Sequence, residues 1–313
     1  MEKLAIIVPT KDRHAELRQL LESLSGQDTH PSQVVVVDGG KNSCKELLGE
    51  FPRLKIDYVR SLPPSLTRQR NGGIRRVVPE ATLVGFLDDD VTLEKGAVSN
   101  MLKFWDSAPE NTGGAGFNLN DSPYRAPTLI EKIFFVNGEK SSMILRSGFQ
   151  SKVAFVDRTK RVDWLVGCLM VWRRRVFDEF MFDEWFVGYA RYEDVDFSYR
   201  VGRKYGIYIV ADAVVNHPNY KLEDASFSRT LGTMEIVNRI YLVRKNKGLS
   251  LALCLWACFG FFLNNLVKGV FMADRRYFLR ACGNAAGFAK FVFTLGRAAE
   301  PVKRGGDGPE KRG

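Results

Sequence analysis

The sequence predicts an α/β chain with an open, mostly parallel sheet flanked by helices, followed by a C-terminal helical segment that associates with a membrane. Three observations carry this. Continuous aliphatic runs alternate with stretches of helical periodicity over the first hundred residues, the mark of β-α-β units whose strands are covered on both faces. One such run, Leu83–Leu87, ends in three consecutive carboxylates, Asp88, Asp89 and Asp90. Between Lys247 and Lys268 there is no charged residue, and basic residues flank both ends.

The elements follow in order. Leu4–Val8 and Val34–Val37 read as buried parallel strands, and Leu17, Leu20, Leu21 and Leu24 between them recur at helical spacing. Lys55–Val59 and Leu83–Leu87 are two more strands, with segments 43–50, 65–77 and 94–106 as crossover helices. After Asp106 the pattern loosens into Gly- and Pro-containing segments as far as about residue 150, which reads as loop that shapes a site. Order returns at Val162–Trp172, then in a helix from about Asp194 to Tyr205 and a strand Ile207–Val210. The expected division is a catalytic domain, 1–224, in halves 1–110 and 111–224, then a helical region 225–302 and a disordered tail 303–313 rich in Gly, Lys and Arg.

Charge sharpens that division. The net of +10 is uneven: residues 1–220 carry 30 Lys+Arg against 29 Asp+Glu, whereas 221–313 carry 16 against 7. Basic charge on the most apolar part of the chain favours an anionic membrane surface. It argues against nucleic acid, for which no recognition motif is visible in the N-terminal part. Five scattered cysteines, with no Cys-x-x-Cys, argue for a reducing compartment. The N-terminus runs straight into a strand with no room for a signal peptide, which places the N-terminal domain in the cytosol.

Two acidic clusters carry the chemistry. Three adjacent anions repel unless a cation is shared, and oxygen-only ligands suit Mg²⁺ or Mn²⁺. The carboxyl end of a parallel strand is also where ligands bind in such sheets. The bland alternative is a solvated acidic turn before a helix starting near Leu93, capped by Asp90 or Thr92. Glu193, Asp194 and Asp196 open the later helix, where carboxylates complement its dipole; alternatively one of them faces the crevice as a general base. His217 follows the last strand, either as a hydrogen-bonded structural residue or as a third ligand to Mn²⁺.

Seven short segments, in order, resemble a family 2 glycosyltransferase with the GT-A fold: Val8–Arg13, Val35–Gly39, Arg68–Gly72, Leu87–Asp90, Asp163–Gly167, Tyr192–Asp196 and His217. The resemblance spans residues 4 to about 217. It implies an inverting transfer from a UDP- or dTDP-linked sugar to a hydroxyl of a lipid-linked or glycan acceptor. Pro9, Thr10, Arg13, Asp38, Arg68, Asn71 and Asp89 would bind the nucleotide sugar, with Asp38 reading the pyrimidine. Asp88, Asp90 and His217 would hold Mn²⁺ or Mg²⁺. Asp194 would be the catalytic base, and Glu193 and Trp164 would meet the acceptor or sugar, although Trp164 also suits a structural place at a sheet edge.

Two other functions compete. A sugar nucleotidyltransferase calls for a Gly-rich, Lys-containing loop after the first strand, and Pro9–Arg13 is not one. A non-catalytic sugar-nucleotide-binding subunit of a membrane complex would be marked by loss of Asp194 or the triple Asp, and both are present. In the C-terminal region, the run Leu249–Val267 approaches the ~20 residues of a membrane-spanning helix, but Asn264, Asn265 and the basic flanks disfavour a simple span. The expectation is a helix lying in or dipping into the cytoplasmic leaflet, paired with Ala281–Leu295 as a hairpin. A soluble helical cap is the alternative.

Overall fold

The structure, a computed structural model, describes residues 2–217 and 225–293. The tail expected to be disordered lies outside the described residues. Strands β1 (Leu4–Thr10), β2 (Gln33–Asp38), β3 (Ile56–Arg60) and β4 (Leu83–Leu87) pair in parallel, in the order β3-β2-β1-β4. Every residue of β1, β2 and β4 is buried, as unbroken aliphatic runs require. Helix α1 (His14–Ser25) seats Leu17, Leu20, Leu21 and Leu24 against one face. Helices α2 (Lys45–Leu48) and α3 (Leu66–Ile74) are shorter than their periodicity suggested.

The chain then departs from the expected pattern. Thr92 and Leu93 are not a helix start but a short strand, β5, paired with the end of the last strand, and helix α4 (Ala97–Ser107) begins after a left-handed Gly96. The stretch expected to be loop contains β6 (Thr112–Leu119), a buried strand inside the sheet. Its Thr-Gly-Gly-Ala-Gly sequence hides it, because the side chains that fill its face come from elsewhere. A Cβ on Gly114 would lie 2.4 Å from the Trp172 ring. After helix α5 (Leu129–Ile133), strands β7 (Lys160–Arg161) and β8 (Leu169–Arg173) and helix α6 (Glu193–Gly202) lead to β9. That last strand runs from Gly206 to Asn216, well past the expected Val210, because its far end pairs with β5 and β6.

The full order is β3-β2-β1-β4-β8-β6-β9-β5, with β7 on β9. The parallel character holds through β4 and between β6 and β9, while β8 runs antiparallel to both of its neighbours. Alternating residues of the strands feed two cores. One face packs on α1, α2 and α4; the other packs on α6 and the C-terminal helices.

Those helices are α7 (Ala225–Lys245), α8 (Leu251–Phe271) and α9 (Arg275–Phe293). A boundary at 224 does not divide the core. Ile236, Ile240, Leu242 and Val243 of α7, and Cys254, Ala257 and Cys258 of α8, belong to the same buried cluster as Trp172 and Phe197. Deleting everything after 224 therefore strips one face of the sheet, and such a chain should show no cooperative thermal unfolding. Leu242→Ala in the full chain should lower stability by about 2–5 kcal/mol, the range for emptying a buried leucine site, read by denaturant melts; a change below about 1 kcal/mol would mean that α7 is peripheral.

Candidate active site

The two acidic clusters meet around one buried cation. Arg70, on α3, is 1% exposed, and its guanidinium lies against the Phe86 and Phe182 rings, 6.0 and 5.3 Å from their centroids. It forms a close ion pair with Glu193 and stands 3.6 Å from Asp88 Oδ1. The carboxyl end of β4 and the start of α6 are thus held together across the sheet. Arg70, Asp88, Trp164, Gly167, Glu193 and Asp194 share the wall of a cavity of about 190 Å³. Gly167 has to be glycine here: a Cβ would come within 2.6 Å of the Arg70 guanidinium.

Asp194 takes two backbone donors, Gly167 N at 3.0 Å and Val195 N at 2.8 Å. Burial nevertheless raises its pKa, with Arg70 pulling the other way. Burial, with Asp194 alongside, raises that of Glu193 too. A base whose affinity for protons is raised, yet whose lone pairs are aimed by two fixed amides, suits proton abstraction. The Trp164 indole N–H donates to Ser151 O at 3.1 Å, and the residue lines the cavity.

At the end of β4 the need for a shared cation is met partly from within the chain. Arg13 donates to Asp89 Oδ1 and Asp90 Oδ2, both at 2.7 Å, and Thr10 donates to Asp89 Oδ2 at 2.7 Å. Burial drives the Asp89 carboxyl up to about 7 despite those donors. Asp90 stays at about 2, because His217 and Arg13 outweigh its burial. Thr10 and Arg13 therefore reach the expected crevice, yet they hold carboxylates there. Pro9 sits beside them at the end of β1. His217 arrives from β9 with Nε2 3.2 Å from Asp90 Oδ1.

No group of three or more His, Cys, Asp or Glu residues is gathered into a metal-holding cluster among the described residues. The donor chemistry fits a divalent cation all the same. Asp88 Oδ1 is a buried atom that accepts no hydrogen bond among the described residues, and the buried Asp90 Oδ1 faces an imidazole nitrogen at 3.2 Å. Two carboxylate oxygens and one imidazole are ligands that Mn²⁺ accepts.

Asp38 is 1% exposed and saturated by the chain, accepting from Gly40 N, Cys44 N, Tyr58 OH and Arg60 Nη1. Burial alone would raise its pKa, but these donors lower it, so the carboxylate stays charged.

Two further expected residues do not line this cavity. Arg68 is exposed and pairs with Glu184 at 3.6 Å, because its place on α3 turns it from the cavity that Arg70 enters. Asn71 is buried and committed to the neighbouring loop: its amide donates to Phe182 O and Glu184 Oε1 and accepts from Phe182 N. Arg70, between them, is the residue that sequence reasoning passed over. The available signal was an arginine two residues from an equally basic neighbour, on a helix whose opposite face must be buried.

A match to the family model described as Glycosyl transferase family 2 covers residues 5–179, more than half of the chain. The chain belongs to this family. A relative in Campylobacter jejuni, GalNAc(5)-diNAcBac-PP-undecaprenol beta-1,3-glucosyltransferase, is 29% identical over 108 residues, 33% of this chain and 34% of that protein. Validoxylamine A glucosyltransferase of Streptomyces hygroscopicus is 32% identical over 105 residues, 32% of this chain and 23% of that one. The matches thus span about a third of the first relative's length and less than a quarter of the second's. Among solved structures, the mannosyltransferase PcManGT of Pyrobaculum calidifontis, in complex with GDP-Man and Mn²⁺, superposes with a TM-score of 0.57 at 14% identity, over 93% of this chain and 87% of that one. TarS of S. aureus superposes with 0.54 at 16% identity, over 90% and 79%. These likenesses bear out the GT-A architecture.

Arg70→Ala should leave Glu193 and Asp88 without their cation and destabilise the protein by about 3–5 kcal/mol, as breaking buried pairs does. Gly167→Ala should also be destabilising, through displacement of the same guanidinium. Thermal melts of the two variants and their double would check the link: shifts that simply add would show that Gly167 acts independently of Arg70.

Proposed function

We propose that this chain is an inverting glycosyltransferase that moves a sugar from a nucleoside-diphosphate donor, UDP- or dTDP-linked, to a hydroxyl of a membrane-presented acceptor. The observation that carries the reading is the convergence of Asp88 and Asp194 on one cavity through Arg70. Membership of the family supports it, as do TarS structures in complex with UDP and with UDP-GlcNAc. In the reaction, the acceptor oxygen attacks the anomeric carbon, the bond to the departing diphosphate breaks, and the hydroxyl proton passes to an Asp194 oxygen. The Gly167 and Val195 amides keep that carboxylate aimed. Arg70 neutralises Glu193 beside it, so that a single base faces the acceptor. A divalent cation held by Asp88, Asp90 and His217 would supply Lewis-acid stabilisation of the diphosphate. Thr10 and Arg13 fix Asp89 for the sugar or ribose, and Asp38 stays ionised to accept a pyrimidine N–H in exchange for one of its present donors.

Membrane presentation rests on the C-terminal hairpin. Helix α8 is long and apolar enough to cross a membrane by length and composition, with 28% of its apolar window buried. Its buried Asn265 does not oppose this, because Asn265 Nδ2 donates to Asn284 Oδ1 on α9 at 2.8 Å. Trp256, Phe259 and Phe271 are exposed on α8, as are Leu129, Ile130 and Ile133 on α5. The Phe134 and Trp256 rings stack at 4.9 Å, and the Trp256 indole N–H donates to Ile133 O. An apolar surface of this extent, edged by the excess of basic charge, suits an anionic bilayer on its cytoplasmic side. The Campylobacter relative's name specifies a PP-undecaprenol glycan, which agrees with an acceptor held at that surface.

Three outcomes test this reading. Calorimetry with UDP or dTDP and Mn²⁺ should show binding that EDTA sharply weakens; unchanged affinity would sink the metal assignment. Asp194→Asn should abolish transfer while leaving donor affinity nearly intact, since a base acts in the transition state. Loss of both together would assign Asp194 to binding. Membranes carrying the full chain should retain it through a 1 M salt wash, where surface attraction is screened beyond roughly 3 Å, and release it to detergent. A chain that stays soluble and monodisperse without detergent would make the helices a packed cap.

A further inference from the structure

A second cavity lies in the acceptor half and shares no residue with the reaction crevice. Its volume, about 520 Å³, falls within the roughly 300–1,000 Å³ of ligand sites. Asp163 lines it while the next residue, Trp164, lines the crevice, so the two cavities sit on either side of one strand of chain.

The wall is built for an anion. Lys140, Lys160 and Arg161 all line it. None of the three pairs with a carboxylate among the described residues; Lys160 Nζ is instead fixed by a 2.9 Å hydrogen bond to Ser141 Oγ. Both carboxylates in the wall have other engagements. Glu139 is ion-paired with Lys132 on α5 at 2.9 Å, and Asp163 Oδ2 accepts from Ile144 N at 3.0 Å.

Ser142 adds an independent sign. It lines the cavity, is fully buried, and its hydroxyl oxygen has no hydrogen-bond partner among the described residues. Its backbone is held at φ 57°, a conformation that costs a non-glycine residue energy, with its N–H donating to Lys152 O and its carbonyl accepting from Asp163 N. A buried polar atom left unsatisfied in a strained residue is a common mark of a site. At the rim, the exposed rings of Tyr124 and Phe155 offer flat apolar faces, of the kind that pack against sugar rings.

We propose that this cavity is a second subsite that takes a phosphate-bearing glycan, with the phosphate between Lys140, Lys160 and Arg161 and the sugar against Tyr124 or Phe155. An arginine fork and two ammonium groups suit a dianion better than a neutral saccharide. The cavity belongs to the half of the fold opposite the nucleotide side, so under the transferase reading the phosphate belongs to the acceptor. That assignment of role rests on the proposed function; the anion site itself does not. The phosphate can come from a soluble glycan or from a lipid headgroup, since Glu139 links the cavity directly to α5 and its exposed apolar residues.

The test uses the detergent-solubilised full chain and two variants. Lys140→Gln/Arg161→Gln changes two exposed side chains and leaves the fold unstrained; Lys160→Gln is the second. Calorimetry with glucose 1-phosphate, with glucose as the neutral control, should show binding of the phosphate alone. The double variant should lose about tenfold or more in affinity, as loss of hydrogen bonds to charged groups implies, while Asp88→Asn leaves it unchanged. In a parallel arm, the protein is floated on phosphatidylcholine vesicles with and without phosphatidic acid. If only the phosphatidic acid increment is lost in the double variant, the phosphate is a lipid's, and the subsite stands. It is overturned if neither probe depends on Lys140, Lys160 or Arg161, or if Asp88→Asn removes the sugar phosphate instead, which would place it in the reaction crevice. Failure of the wild-type chain to bind any nucleotide sugar would sink the transferase reading while leaving the anion result standing.

Discussion

Arg70 is a cation shut away from water, and the catalytic half of the molecule is organised by the need to balance it. An unpaired buried guanidinium would be prohibitively unfavourable, so Glu193 must approach it, and that fixes the start of α6 against the end of β4. The aromatic faces of Phe86 and Phe182 complete the enclosure. Gly167 gives up its side chain so that the guanidinium fits, and the same residue's amide then orients Asp194. Remove the cation and three things lose their reason together: the position of Asp194, the paired state of Glu193, and the glycine at the cavity wall.

Electrostatics at the strand end follows a related logic. Arg13 stabilises Asp89 and Asp90 from one side and Arg70 stabilises Asp88 from the other. Together they keep the cluster assembled while Asp88 Oδ1 stays without a hydrogen bond among the described residues.

Much of this was legible in the sequence, and the failures have physical causes. Unbroken aliphatic strands and the four leucines of α1 are statements about burial, and burial is what periodicity reports. Asp88 and Asp194 were legible as candidates because parallel-sheet topology brings the ends of their elements to one cavity, while His217, which follows β9, stands 3.2 Å from Asp90. Strand β6 was invisible because its glycines surrender their volume to Trp172 and Tyr205, which are distant in sequence. Arg68 and Arg70 could not be told apart, because helical phase is uncertain in a nine-residue helix of low amphipathicity. The second cavity carries little contiguous signal, since its wall joins the loop around Lys140 and Ser142 to the two-residue strand β7.

One chain of contacts passes almost unnoticed through the back of the site. Arg191, in the cavity wall, lies 3.4 Å from Glu235 of α7, and Glu235 is ion-paired with Arg280 of α9. The α8–α9 hairpin is thereby wired to the wall of that cavity through a buried carboxylate. C-terminal hairpins are often treated as interchangeable luggage, to be clipped off or swapped between relatives. This one is not modular: a transplanted hairpin lacking a cation at position 280 would leave Glu235 to be compensated by Arg191 alone and would draw that arginine away from the crevice. The packing of the hairpin and the charge balance of the cavity wall would then have to change together.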